Sequence, residues 1–350
     1  VVRRAAFAVP GDLATPTGGY AYDRRMIAEL KQLGWQINVV ALGDGFPRPT
    51  EAQRATALAR LMDIPAGRAV VIDGLALGVL PEEAGQVAAA HPLIALVHHP
   101  LALESGLSAT QADEMRTSER AALAPAKRVI VTSPATARAL VADYNVAEDR
   151  IVVALPGNDL VPLAKPNGSG VVRLLAIGSI VPRKGFDILI AALATLIELP
   201  WHLTIAGDRT RNAKASAQLD TDIARCNLAS RVTVLGAVSD ERIAELYGDA
   251  DLFTLASRHE GYGMAFSEAI ARGVPVLATT AGAIPETVPA EAGLLVPPDN
   301  IDAFAVALRR LIANPNERKR LAGGAREAAR KLPTWQASAK VFSDALEAAL

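Results

Sequence analysis

Residues 252–279 read LFTLASRHEGYGMAFSEAIARGVPVLAT, and the order of residue types in them decides the fold. The run 252–255 is short and unbroken in apolar residues, so it predicts a strand covered on both faces. A Gly-x-Gly turn follows at Gly261 and Gly263, and a helix is predicted over 265–272. Gly273, with Pro275 beyond it, gives that helix its stop. A second apolar run, 276–278, then begins. Strand, glycine turn, helix and strand in this order are the repeating unit of a doubly wound parallel sheet. In such sheets ligands sit beyond the carboxyl ends of the strands, which directs attention to 257–263.

Outward from this segment the same alternation covers most of the chain. Apolar runs at 5–9, 37–42, 70–73, 93–97, 129–132 and 151–155 predict six strands in the first half. Runs at 172–177, 203–206, 232–235, 252–255, 276–278 and 294–296 predict six more in the second half. Helices are expected between them, among others over 20–33, 134–144, 186–198, 241–247 and 265–272. Gly34 stands where a helix-ending glycine belongs. Residues 156–170, PGNDLVPLAKPNGSG, break the pattern and have linker composition. The stretch 301–350 is Ala-rich and helical. The expected architecture is α/β, with two doubly wound Rossmann-like domains facing across a cleft and a C-terminal helical tail. The expected boundaries are 1–160, 161–333 and 334–350.

Composition excludes several classes of function. Of 350 residues, 51% are hydrophobic and 21% charged, which supplies cores for about two domains. Lys+Arg 36 against Asp+Glu 37 gives a formal charge of -1, which argues against a nucleic-acid coat. Aromatic residues at 4% are too few for a single-strand stacking surface. A single cysteine, Cys226, excludes a disulfide framework and a cysteine-based zinc site, and fits a reducing compartment. No apolar run approaches the ~20 residues that span a bilayer. The expectation is a cytoplasmic protein, with peripheral contact at the inner face of a membrane left open.

Four loops carry the candidate chemistry, each directly after a predicted strand. In the first, the helix opening at Gly263 offers backbone N–H groups and its positive dipole end to an anion. Glu260 before it and Glu268 within it suit hydroxyl groups of a ligand rather than its phosphates. That set fits a nucleotide sugar, with a diphosphate between two hydroxylated rings; the alternative is an ordinary turn with two solvated glutamates. The second loop is GSIVPRKGFD, 178–187. Arg183 offers a planar fork and Lys184 a point charge, both suited to phosphate oxygens, unless they form a solvated surface pair. The third, PGDLATPTGGY at 10–20, places Gly18 and Gly19 where a backbone can approach a ligand closely. The fourth is His98-His99-Pro100. In extended backbone, adjacent side chains point to opposite faces, so one histidine would face a substrate. The alternative is a histidine that merely caps the strand, and no third ligand is spaced for zinc. Asp249-Ala250-Asp251, formally a D-x-D, lies between a helix and a strand and reads as a turn, not as a metal site.

Taken together, these loops resemble the retaining glycosyltransferase family 4, of the GT-B fold. The resemblance rests on GSIVPRKGFDILIAAL, on IAGD at 205–208, on VTVLGAVSDE at 232–241 and on ASRHEGYGMAFSEAIARGVPVLATTAGAIPE at 256–286. Glu260 and Glu268 have the spacing of that group's E-x7-E motif. TGGY, VHHPL, VTSPA and LPGND match less distinctively in the first half. The resemblance implies that Arg183 and Lys184 bind the donor diphosphate, beside Gly178. It implies that Glu268 holds the ribose, that Glu260 contacts the transferred sugar, and that the backbone at Tyr262, Gly263 and Met264 approaches sugar and phosphate. Val238 and Asp240 would border the base, although Asp240 also suits a helix N-cap. Gly18 and Gly19 would lie against the donor phosphates. His98 aligns with the family's active-site histidine, with His99 as second choice. Ala283 departs from the pattern, standing where many relatives carry a second Gly. The stretches 43–50 and 101–120 match no general pattern and are where acceptor recognition is expected.

The activity implied is retaining, metal-independent transfer of a hexose from a UDP- or GDP-linked sugar to an acceptor hydroxyl. Its setting would be polysaccharide or glycoconjugate synthesis, with no cofactor and no nucleic-acid partner. The acceptor would be a saccharide, a lipid-linked saccharide or a small molecule. The rivals are a nucleotide-sugar epimerase of the same fold and a non-catalytic sugar-nucleotide-binding subunit. A nicotinamide dehydrogenase is disfavoured, since neither half carries the glycine fingerprint with its trailing acid.

Overall fold

Consecutive apolar residues become strands here because helices cover both faces of each sheet. The computed structural model describes residues 3–104, 106–165 and 170–350. Residues 1–2, 105 and 166–169 lie outside it, including part of the expected linker and one residue of 101–120. Among the described residues the strands form two six-stranded sheets, parallel throughout. The first contains β1 (Arg4–Val9), β2 (Gln36–Ala41), β3 (Ala69–Asp73), β4 (Leu93–Val97), β5 (Arg128–Val131) and β6 (Ile151–Val153), in the order β2-β1-β3-β4-β5-β6. The second contains β7 (Val172–Ile177), β8 (Trp201–Ala206), β9 (Val232–Val234), β10 (Leu252–Thr254), β11 (Val276–Thr279) and β12 (Gly293–Val296), in the order β12-β11-β10-β7-β8-β9. This is the GT-B pair of Rossmann-like sheets.

The chain divides into a unit of residues 1–157 with 333–350 and a unit of residues 158–332. The last helix, Trp335–Ala349, belongs to the first unit for a sequence reason. Its stripe Trp335, Ala339, Phe342, Leu346 and Ala349 recurs at helical spacing and is buried. Phe342 stacks on Phe7 of β1 with ring centroids 6.2 Å apart, and Ser343 accepts a hydrogen bond from Trp35 Nε1 at 2.9 Å. The helices Ile301–Ala313 and Pro315–Ala329 pack instead within the second unit.

Two expectations are corrected. The helix expected over 186–198 stops at Ala194, and the residues after it turn toward β8. Arg231 there donates to the carbonyls of Ile197 and Leu199, a tertiary contact that replaces further helical bonds. The cap of the helix Asp240–Asp249 is Ser239, whose hydroxyl accepts from the Arg242 N–H, so Asp240 is the first helical residue instead.

In each sheet the strand order reverses direction beside the first strand of the unit. β1 lies between β2 and β3, and β7 lies between β10 and β8. The loops leaving β1, β3 and β4 in one unit, and β7 and β10 in the other, therefore open where such sheets bind ligands. No helix of the described residues is long and apolar enough to cross a membrane.

Candidate active site

In the second unit β7 and β10 are hydrogen-bonded neighbours, with Leu174 opposite Leu252 and Leu175 opposite Phe253. Their outgoing loops are tied together by the Arg258 N–H, which donates to the Arg183 carbonyl at 2.8 Å. That close approach demands Gly185, which has φ +66° and stands so near β10 that a methyl there would lie 2.0 Å from the Ala256 carbonyl oxygen. Arg258 adds a clamp from its side chain. It forks onto Asp187 at 3.0 and 2.7 Å and reaches Asp299 and the Pro182 carbonyl.

Within this clamp Glu260 is 6% exposed, so it is no solvated glutamate. Its Oε1 accepts from Lys184 Nζ at 2.7 Å and from the Ser257 hydroxyl at 2.7 Å. Its Oε2 faces Arg183 at 3.4 Å, and the same guanidinium donates to the His259 carbonyl at 2.9 Å. Burial alone would raise the Glu260 pKa, but Lys184 and Arg183, with the Ser257 bond, outweigh it and hold the carboxyl at about 2. Arg183 and Lys184 are each only 15% exposed in their side chains, which rules out a loose surface pair. The carbon stem of Lys184 lies over Gly178, where a methyl would stand 3.2 Å from Lys184 Cε.

Glu260 is fixed from its other side by the 279–287 turn. The Ala283 N–H donates to the Glu260 carbonyl at 2.9 Å, and Gly282, at φ +60°, passes so close that a methyl would meet that oxygen at 2.3 Å. Ala283 has φ −86°, so its methyl fits where a second glycine was the family pattern.

The helix Met264–Ala271 begins at Gly263, which has φ +92°, and no side chain caps it. Its N–H groups and dipole are thus presented beside the two cations' loop. Tyr262 is buried, and its carbonyl accepts from the Thr287 hydroxyl at 2.6 Å. Glu268 is half-buried one turn into the helix. Burial raises its pKa against hydrogen bonding from Tyr247 and the charge of Arg272, and Asp240 adds to the rise. Val238 packs on the unit's core. The Asp249-x-Asp251 pair is engaged by Arg173, whose backbone N–H also donates to Asp251 at 2.8 Å.

In the first unit, the helix Gly18–Gln32 is capped by the Thr17 hydroxyl, which accepts from the Tyr20 N–H at 3.2 Å. A methyl on Gly19 would lie 3.3 Å from His98 Cδ2, so the glycine leaves room for the imidazole that follows β4. The two histidines diverge. His98 Nε2 lies 3.1 Å from Asp23 Oδ1 and 3.7 Å from Asp73 Oδ2, with Tyr22 edge-on to the ring. His99 turns to Glu104 at 3.2 Å. His98, Asp23 and Asp73 are also the one group among the described residues with the spacing for a metal ion.

Sequence reasoning passed over Asp23, Asp73, Ser257 and Arg258. Asp23 left a readable trace, since a carboxylate stands inside the apolar stripe Tyr22, Met26, Ile27 and Leu30 of its helix. The others show themselves only once the loops are side by side.

The chain is similar to known proteins in sequence and in fold. The sequence profile of the family described as glycosyl transferases group 1 matches residues 165–328. An MMP alpha-(1->4)-mannosyltransferase of Mycolicibacterium hassiacum is 28% identical over 314 residues, covering 84% of this chain and 74% of that protein. A D-inositol 3-phosphate glycosyltransferase of Xylanimonas cellulosilytica is 30% identical over 243 residues, covering 65% of this chain but only 58% of that protein. Among solved structures, sucrose-phosphate synthase from Thermosynechococcus elongatus superposes with a TM-score of 0.83 at 22% identity, covering 97% of this chain and 98% of the other. HepE of Anabaena, in complex with UDP and glucose, gives 0.78 at 21% identity, covering 98% and 99%.

Proposed function

Because residues 165–328 match the group 1 glycosyl transferases, we propose that the chain moves a hexose from a nucleotide diphosphate sugar to an acceptor hydroxyl, with retention at the anomeric carbon and without a metal ion. The observation that carries this reading is the Lys184–Glu260–Arg183 trio, built on the buried Glu260, beside the uncapped helix start at Gly263. As the bond from the anomeric carbon to the phosphate oxygen breaks, the sugar takes on oxocarbenium character and negative charge grows on the departing diphosphate. Lys184, Arg183 and the N–H groups after Gly263 are the donors for that charge. Glu260 holds both cations in place beforehand, so little reorganisation accompanies the step. These fixed cations take the role that a divalent ion has in other transferases.

On this reading the acceptor oxygen attacks the face that the diphosphate leaves, and the departing phosphate oxygen takes the acceptor proton. His98 then receives a hydroxyl of the substrate and removes no proton. Glu268 is the partner for the ribose, and Val238 and Asp240 lie toward the base. UDP is the first base to test, since HepE binds UDP and UDP-glucose in a similar fold.

The test is thermal unfolding with UDP, GDP, ADP and their hexose conjugates, each with and without EDTA. A ligand at about 100 times its dissociation constant stabilises by roughly 2.7 kcal/mol. A shift with one nucleotide class, unchanged by EDTA, supports the reading and names the base. A shift that EDTA abolishes would overturn metal independence. Isomerised donor in the absence of any acceptor would instead mark an epimerase.

A further inference from the structure

The strongest feature outside the donor loops is the cluster beneath His98. Asp23 and Asp73 are 0% and 2% exposed, and among the described residues no Lys or Arg pairs with either. Asp73 Oδ1 is occupied by the Leu75 N–H at 2.6 Å, which leaves Oδ2 toward His98 and Asp23. Asp23 Oδ1 faces His98 Nε2, while Asp23 Oδ2 is buried and finds no donor among the described residues. Two ionised carboxylates in this position would repel, and one buried acceptor would stay unmet.

A single proton removes both difficulties. Placed on Asp73 Oδ2, it donates to Asp23, a hydrogen bond for which the two carboxyls are close enough. The charge then rests on Asp23, the nearer of the two to the imidazole. The same proton on His98 would leave three buried charges instead of one, which burial disfavours, although burial of the ring is outweighed by the Asp23 and Asp73 carboxylates, which raise the His98 pKa. Burial and the neighbouring Asp23 charge push the Asp73 carboxyl up to about 7, against smaller opposing effects of His98 and the Leu75 N–H, in keeping with that placement.

We propose that Asp23, bridged by a proton to Asp73, is a positioning residue that holds His98 as its Nε2–H tautomer and so presents Nδ1 as an acceptor for a ligand hydroxyl. His98 Nδ1 makes no hydrogen bond to a described residue, and the ring remains partly open to solvent. The role given to Nδ1 rests on the proposed transfer reaction, whereas the tautomer does not, so the two can fail separately.

The experiment is NMR of protein labelled with 15N-histidine at about neutral pH, where an unperturbed histidine is mostly uncharged. The His98 signals are identified by their loss in His98→Gln. The expected spectrum shows a proton on Nε2 and the shift of an unprotonated nitrogen at Nδ1. Asp73→Asn, whose amide donates to Asp23 as the protonated carboxyl does, keeps that tautomer, while Asp23→Leu mixes the two. With a donor sugar in hand, Asp23→Leu lowers kcat by about tenfold or more while nucleoside diphosphate affinity stays level. An Nδ1–H tautomer or an imidazolium in the unmodified protein overturns the proposal without reference to activity. Selective broadening of the His98 signals by Mn2+ also overturns it, because the three groups would then form a metal site. A level kcat in folded Asp23→Leu whose tautomers have mixed would remove the acceptor role.

Discussion

Lys184 Nζ stands 2.7 Å from Glu260 Oε1, although 76 positions separate them in the chain. The pairing arises because β7 and β10 are neighbours, so that two outgoing loops share one sheet edge. It changes the meaning of Glu260. A carboxylate whose Oε1 is taken by Lys184 and Ser257 and whose Oε2 faces Arg183 fixes the two cations, besides any contact that Oε2 makes to a sugar hydroxyl.

Replacing Glu260 by Ala leaves the half-buried Lys184 and Arg183 without their shared counter-charge, and breaking a fully buried pair from one side costs about 3–5 kcal/mol, which is an upper bound here. Urea denaturation measures it. The pH dependence follows from the depressed carboxyl, held at about 2. Such a group stabilises the fold above its unfolded pKa of about 4.3, and the contribution is lost as pH falls from there through about 2. The stability gap between the unmodified protein and Glu260→Gln should be level above about pH 5 and narrow below about pH 4. A gap that stays level to the acid end would mean that Glu260 is not held by the cations.

Lys184→Ala removes a charge-assisted donor worth about 1.5–3 kcal/mol, so nucleoside diphosphate should bind roughly 10–150-fold more weakly by calorimetry. Turnover should fall by about 100-fold or more, because the charge on the leaving group grows during the reaction. Arg183→Lys keeps the charge but loses the planar guanidinium, whose Nη1 meets both Glu260 Oε2 and the His259 carbonyl, so it should weaken binding too. Unchanged affinity in both variants would remove this loop from the donor site.

The sheets were legible because strands buried on both faces appear as unbroken apolar runs, and Val172–Ile177 and Leu93–Val97 have the bounds that their runs imply. The helix beginning at Phe186 was read too long because its end is set by Arg231, which takes carbonyls from another part of the chain. Arg183, Lys184, Glu260 and Glu268 could be named from motif spacing. The partner of each could not. The Asp23–Asp73–His98 cluster draws on a helix face and two strand ends brought together only by the order β1-β3-β4, which no local pattern encodes.

The 282–283 turn offers a test in which two adjacent small residues should behave oppositely. Gly282→Ala places a methyl at positive φ and 2.3 Å from the Glu260 carbonyl oxygen. The left-handed backbone costs roughly 1–2 kcal/mol, and the overlap costs about 1–3 kcal/mol more. It should also lower turnover, since the displaced atom is the backbone of Glu260. Ala283→Gly, at a negative φ, should cost no more than about 1 kcal/mol. Equal midpoints for the two variants in denaturant would show that the turn does not hold Glu260.

Glu119 should make the first unit less stable as pH rises. Its side chain is 1% exposed, and Oε2 accepts from the Leu101 N–H at 2.9 Å, just after the His98-His99-Pro100 turn. Burial pushes its carboxyl up to about 8, although the Leu101 N–H and the Tyr144 hydroxyl pull it back. The unfolded chain releases this proton above about pH 4.3 while the folded chain keeps it, so stability falls by up to about 1.4 kcal/mol per pH unit from there to about pH 8, then levels. Glu119→Gln keeps an acceptor for Leu101 and has nothing to titrate. Its stability relative to the unmodified protein should therefore climb between about pH 5 and pH 8 and stay constant above. Parallel curves across that range would show that Glu119 is ionised in the fold and that the loop after His98 is held by a charge instead.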